Sequence, residues 1–253
     1  MAIKRHLPNI ITLLNLFSGS IAVLLAVQNY FVGAALFMFL GIFFDFFDGL
    51  LARKLNVQSE LGLQLDSLAD MVTSGLVPGV VMFKLLNMSL GTPVSENSEA
   101  LWSSTNLFEG LHHYAPLAFV GFFITLASAY RLAKFNLDED QQSSFKGLPT
   151  PANALLIVSL PLIMEFQNSD AINAFILNPW FLIVMTVLSC YILNSSVNLF
   201  ALKFKDWSFK TNAVRYIFII LSVIFIVLFK FLAIPIIIVF YVLLSLFSKS
   251  LTK

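Results

Sequence analysis

Charge is the scarcest ingredient of this chain. Of its 253 residues, 11% are Asp, Glu, Lys or Arg, against about 25% in an ordinary soluble domain. So thin a supply of ions cannot coat a water-facing surface, which argues against a soluble enzyme or a disordered tail. Neither sign dominates: 15 basic and 14 acidic side chains leave a formal charge of +1. No field is left to draw in a polyanion, and nucleic acid is not expected as a partner. Cysteine is nearly missing too. Cys190 stands alone inside an apolar run, which excludes an internal disulfide and a thiolate metal cluster. There is no Walker loop, no GxGxxG, no Ser-His-Asp arrangement and no internal repeat. Strand-type alternation is also absent, which argues against a barrel. What abounds is apolar: 58% of the residues, with 27 Phe. The fold class expected is an all-α polytopic membrane protein.

A helix needs about 20 apolar residues to cross a hydrocarbon core of ~30 Å. Windows of that length predict spans near 7–27, 30–51, 63–85, 114–133, 151–166 and 172–194. The stretch 213–247 is too long for one crossing, and Lys230 and Pro235 interrupt it, so it reads as two helices joined by a tight turn. About eight spans result. They are expected to form a single membrane domain in 1–253, with six helices in 1–200 and two additional helices in 201–253. Lys4 and Arg5 before the first apolar run also fit a signal peptide. However, that run is long enough to span, and the small residues Gly19 and Ser20 lie in its middle. Lys4, Arg5, Arg53, Lys54, Arg131, Lys134, Lys146, Lys203, Lys205, Lys210, Arg215, Lys249 and Lys253 fall on one side of this topology, and Lys84 and Lys230 on the other. The positive-inside rule places both termini in the cytoplasm of a prokaryotic cell (inner) membrane. The loop 86–113 reads as a solvated connector on the opposite face. Lys203, Lys205 and Lys210 are expected to meet anionic lipid headgroups.

Four aspartates lie in otherwise apolar helices: Asp45 and Asp48 on the second, Asp66 and Asp70 on the third. Ionisable groups at such depth cost a few kcal/mol each and mark function by default. At 100° per residue, Asp45, Asp48, Gly49 and Ala52 share roughly a 100° arc, and Gly62, Asp66 and Asp70 roughly an 80° arc. Asp45 and Asp70 each sit about 12 Å in from the cytoplasmic end of their helices. The short link 54–61 makes those helices antiparallel neighbours, so the four carboxylates can converge at one depth. Together they would repel one another, and cations must offset them. An all-oxygen set without His or Cys selects hard divalent ions. Two Mg²⁺ or Mn²⁺ are expected, with Ca²⁺ a further ion that such a set could bind. Gly49, Ala52 and Gly62 leave space on the same face, and Arg53 at its mouth suits a phosphate. Helix–helix packing and an ion or proton transport path are the bland alternatives. Against transport, the cluster lies off the midplane, and no matching pair of broken helices recurs.

The pattern D-x2-D-G-x2-A-R-x8-G-x3-D-x3-D runs without departure from Asp45 to Asp70. It resembles the signature of the CDP-alcohol phosphotransferase family. That resemblance implies a six-helix membrane core, commonly a homodimer, which transfers a phosphatidyl group from CDP-diacylglycerol to an alcohol and releases CMP. By position, Asp45, Asp48, Asp66 and Asp70 match metal ligands, and Asp70 also matches the general base. Gly49, Ala52, Arg53 and Gly62 match nucleotide-side positions. Leu7-Pro-Asn-Ile-Ile-Thr12 with Asn15-Leu16, Arg131-Leu-Ala-Lys-Phe-Asn136 and Phe145-Lys-Gly-Leu-Pro149-Thr-Pro151 resemble the membrane-embedded phosphatidylserine synthases. Lys134 stands where Arg is usual there, and Thr73-Ser74-Gly75 where V-S-F-G is common.

The resemblance implies L-serine as the acceptor, with membrane lipids as surroundings. Read from the residues, the 131–151 loop is a reasonable acceptor site: Arg131 for a carboxylate, with Asn136 and Lys146 beside it. Arg131 and Lys134 equally mark a cytoplasmic helix end. Asn9 and Thr12, at the entry of the first helix, could face the cytidine, or simply reflect helix-start polarity. Glycerol 3-phosphate or inositol phosphate as acceptor, or a divalent-ion or proton transporter, are the alternatives.

Overall fold

The computed structural model describes residues 2–91, 114–137, 145–199 and 208–251. The connector residues 92–113 and the lysines Lys203 and Lys205 lie outside the described residues.

Helix α1 (Ala2–Val27) and α2 (Phe31–Lys54) are joined by a turn in which Asn29 takes a φ of 64°. A second tight link, with Asn56 at φ 54°, leads into α3 (Glu60–Asp70). Asparagine tolerates the left-handed region better than other side chains with a Cβ, which lets both links be short and the three helices antiparallel. Ser59 caps α3, its Oγ accepting from the Gly62 backbone N–H at 3.1 Å. From Asp70 the rod continues through a π-helical turn (Met71–Leu76) into α4 (Val77–Ser89). This rod is the central element. Of its apolar window 72% is buried inside the protein, against 11% for the stretch 212–246. Val77, Val81, Met82, Leu85 and Leu86 of α4 pack with Ala22, Ala26, Ala34 and Met38 of α1 and α2 and with Ile157 and Ile163 beyond them.

A 3₁₀ turn (Pro116–Phe122) leads into α5 (Phe123–Leu137). Helix α6 (Thr150–Phe166) starts at Pro149 and Pro151, where a missing N–H costs nothing. Helices α7 (Asp170–Ile176) and α8 (Pro179–Asn194) meet at a bend of 55°, so the span expected near 172–194 is not one straight helix but a broken or re-entrant one. Asn178 caps α8, its Oδ1 accepting from the Trp180 and Phe181 N–H groups at 2.9 and 3.3 Å.

Helices α9 (Phe209–Phe229) and α10 (Ala233–Leu251) flank the turn Lys230–Leu232, where Lys230 has a φ of 49°. The ring of Phe218 lies 5.5 Å from Tyr241 and 6.0 Å from Phe240. In a straight helix those residues would stand more than ~30 Å apart, so the pair folds back on itself as expected. Phe231 stacks on Phe166 at 4.8 Å, and the Leu232 N–H donates to Gln167 Oε1 at 2.9 Å. The turn is thereby pinned to the end of α6.

The architecture is the expected polytopic bundle, a six-rod core with a C-terminal pair. It adds one element that the sequence pattern does not show: strand β1 (Phe145–Lys146) pairs antiparallel with β2 (Asn198–Leu199). Two residues are too few to produce a readable alternation.

Candidate active site

One end of the bundle gathers the start of α1, the end of α2 and the start of α3 around a cleft of about 430 Å³. Its walls include Asn9, Thr12, Asp48, Gly49, Ala52, Arg53, Gly62 and Asp66. Every residue that the sequence places on the nucleotide side therefore faces one space. Glycine at position 62 lets α3 close on α1, since a Cβ there would stand 3.2 Å from Asn9 Oδ1 and from Ser59 Oγ. Gly49 leaves the flank of the Arg53 guanidinium open, since even a Cβ there would stay 3.8 Å from the nearest guanidinium nitrogen.

Carboxylate oxygens of Asp45, Asp48 and Asp66 lie within 4.8 Å of one another. The α2–α3 hairpin does this: residues three apart on α2 meet a residue on the antiparallel α3 at matching depth. Asp70 is near enough to Asp45 and Asp66 for their charges to interact, so it adjoins the three rather than standing apart. Oxygens this close, in surroundings this apolar, repel unless a counter-charge sits between them. The donors are all hard oxygens at a spacing that a divalent cation spans, so the set fits Mg²⁺, Mn²⁺ or Ca²⁺.

Helix α1 holds two of these carboxylates. Thr12 Oγ1 donates to Asp48 Oδ2 and also lies 3.1 Å from its own Pro8 carbonyl. One turn on, Asn15 Nδ2 donates to Asp70 Oδ1 at 3.4 Å. Thr12 thus faces the cleft through a hydroxyl already engaged with an aspartate. From the other side, Asn136 of α5 donates to Ser67 Oγ at 2.9 Å, tying α5 to the segment between Asp66 and Asp70.

The sequence groups Arg131, Asn136 and Lys146; the structure separates them. Arg131 and Lys146 line one small cavity of about 40 Å³ with Lys134, Asn194, Ser195 and Ser196, while Asn136 turns to Ser67. The short β1–β2 clip explains the grouping, because it lays Lys146 against the end of α8. Arg131 is buried at 9% exposure, its Nε has no hydrogen-bond partner among the described residues, and it is near enough to Asp70 for their charges to interact. Ser67 and the Asn194–Ser196 end of α8 lie at the site and are missed by reasoning from the sequence, and Asn15, quoted in the first-helix motif, is given no role there. Only Asn15 carries a signal, as a polar residue at i+3 from Thr12 in an apolar helix.

The family model for CDP-alcohol phosphatidyltransferase matches residues 5–192. A CDP-diacylglycerol–serine O-phosphatidyltransferase of Bacillus subtilis is 32% identical over 160 residues, 62% of this chain and 75% of that protein. The protein of the same name from Saccharomyces cerevisiae is 29% identical over 171 residues, 61% of this chain and 53% of its own length. An archaetidylserine synthase of Methanothermobacter thermautotrophicus is 27% identical over 168 residues, 65% of this chain and 61% of that protein. The chain thus spans between about half and three quarters of the relatives it resembles.

Proposed function

Because this chain belongs to the CDP-alcohol phosphatidyltransferase family, we propose that it transfers the phosphatidyl group of CDP-diacylglycerol to the hydroxyl of L-serine and releases CMP. The observation that carries this reading is the meeting of Asp45, Asp48 and Asp66 within 4.8 Å beside a cleft at one end of the bundle. Serine is favoured as acceptor by the relatives, whose names differ in the lipid but share the serine.

Asp45, Asp48 and Asp66, with Asp70 beside them, would hold one or two Mg²⁺ or Mn²⁺, whose chemistry there is to offset the negative charge of the diphosphate and the departing CMP. Arg53 grips the diphosphate at the mouth through its planar fork. Gly49, Ala52 and Gly62 leave room for the nucleotide, with Asn9 and Thr12 on the α1 wall. Arg131 and Lys146 receive the serine carboxylate. Asp70 takes the proton of the serine hydroxyl as its oxygen bonds to phosphorus and the bond to the CMP oxygen breaks. Attack is taken as direct, because the hydroxyl on the cleft wall, that of Thr12, already donates to Asp48 and that of Ser67 is paired with Asn136. We place the cleft on the cytoplasmic side of a prokaryotic inner membrane, where the cationic loops collect, and expect a homodimer.

The test is CMP release by purified protein in detergent with CDP-diacylglycerol and Mn²⁺ or Mg²⁺, offering serine, glycerol 3-phosphate or inositol phosphate separately. Release with serine alone, lost in Asp70→Asn, is the expected result. Release with another acceptor would discard the reading of Arg131 and Lys146, and ion flux into liposomes without nucleotide would favour a transporter. A chiral thiophosphate donor should show inversion. Retention would point instead to Thr12, the hydroxyl whose donor faces a carboxylate.

A further inference from the structure

The aspartate at the end of α3 is held from below by residues outside the signature. Asn15 is fully buried in the middle of α1 and places its side-chain amide between two partners. Its Nδ2 faces Asp70 Oδ1 at 3.4 Å, and its Oδ1 accepts from Thr73 Oγ1 at 2.7 Å. The orientation of the amide follows from the chemistry: only the nitrogen can face a carboxylate oxygen, which turns the carbonyl to the threonine hydroxyl. Thr73 is itself fully buried and sits in the π-helical turn directly after Asp70. Single π turns inside longer helices recur at functional sites. Here the turn sets the threonine hydroxyl beneath the aspartate of its own rod.

The packing around this pair is unusually close. A Cβ at Gly19 of α1 would collide with Thr73 Oγ1 and reach 3.0 Å from its Cα. A Cβ at Gly41 of α2 would stand 2.7 Å from Thr73 Cγ2 and 2.9 Å from Asn15 Oδ1. Two glycines from two helices thus bring the backbone onto one threonine. The rotamers of Thr73 and Asn15 are fixed by contact on both sides.

We propose that Asn15 and Thr73 form a positioning unit for Asp70, which fixes one carboxylate oxygen through the Asn15 amide and leaves the other turned to the reacting hydroxyl. The proposal rests on the phosphatidyl-transfer reading above. Neither residue touches substrate; both act through Asp70. Loss of a group that orients a reacting side chain typically costs ~10–100-fold, and a misplacement of ~1 Å can cost ~10²-fold.

The test compares Thr73→Val, nearly isosteric but without the hydroxyl, with Thr73→Ser, which keeps it, alongside Asn15→Ala, all as full-length protein in detergent. The readouts are kcat and KM for both substrates, melting temperature, and the melting-temperature rise on adding Mn²⁺ alone. Thr73→Val should lower kcat ~10–100-fold, with both KM values and the Mn²⁺ response within about twofold of wild type. Thr73→Ser should recover kcat to within about threefold. Thr73→Val at wild-type kcat, a loss confined to KM, or a Thr73→Ser protein as slow as Thr73→Val would each overturn the proposal. If the wild type itself released no CMP with any acceptor, the functional reading would fail first, which keeps the two failures distinct.

Discussion

Asp66 and Asp45 illustrate what a carboxylate costs when it stands among others. Each is needed only while a cation is present, and in its absence each adds repulsion to an apolar bundle. Asp66→Asn should therefore raise the melting temperature of EDTA-treated protein and abolish both CMP release and the Mn²⁺-induced rise in melting temperature. The wild type should gain ~2.7 kcal/mol at a hundredfold excess of Mn²⁺ over its dissociation constant. Thermal melts with and without metal check both halves. The four aspartates are legible in the sequence because an ion in an apolar helix is conspicuous and its i, i+3, i+4 neighbours are known in advance. Their supports are not. Asn15 meets Asp70 across 55 positions of chain, and no local pattern encodes that encounter. The glycines behave likewise. Gly41→Ala should cost ~1–3 kcal/mol by overpacking and reduce turnover, since its methyl meets Thr73 and Asn15. Gly33→Ala on the same helix meets only the flexible end of Leu25 at 3.2 Å and should leave turnover unchanged.

At the scale of elements, the strap joining α5 to α6 shows how a two-residue pairing can matter. Gly147 has a φ of 74°, and a Cβ there would approach the Leu193 carbonyl oxygen at 2.5 Å. Its N–H donates to the Val197 carbonyl at 2.9 Å. Both features clip the strap to the end of α8 and carry Lys146 to Arg131. Gly147→Ala should loosen the clip, raising KM for serine by ~10-fold while KM for CDP-diacylglycerol stays constant; steady-state kinetics with each substrate varied in turn separates the two. The helices are readable from apolar length, except for the break between α7 and α8 inside the span expected near 172–194, and Lys230 with Pro235 discloses the α9–α10 turn. The strap and the π turn are not readable. A two-residue strand leaves no periodicity, and an extra residue inside a uniformly apolar rod leaves no gap in the pattern. The separation of Asn136 from Arg131 is different: five positions at 100° each set them about 140° apart on one helix, so spacing alone announces it, and Asn136 meets Ser67 while Arg131 meets the end of α8.

Taken as a whole, the molecule is polarised: carboxylates, cleft and cationic helix ends share one end of the bundle. A cysteine at Asn56, in the α2–α3 link, and one at Asn29, in the α1–α2 link, should be reached by an impermeant maleimide from opposite faces of sealed vesicles, with Asn56→Cys labelled only from the cytoplasmic face. Replacing the native Cys190 by serine gives the clean background. Labelling of both from one face would reject the topology.

The one-sidedness of that cleft extends beyond catalysis. On the proposed reading, a donor whose tails stay in the bilayer while its headgroup enters from one end of the bundle would surrender its product where it was taken up. Every new phosphatidylserine would therefore be born in a single leaflet. The enzyme would be a source of transbilayer asymmetry, and supplying the opposite leaflet becomes the work of a separate lipid-flipping machine.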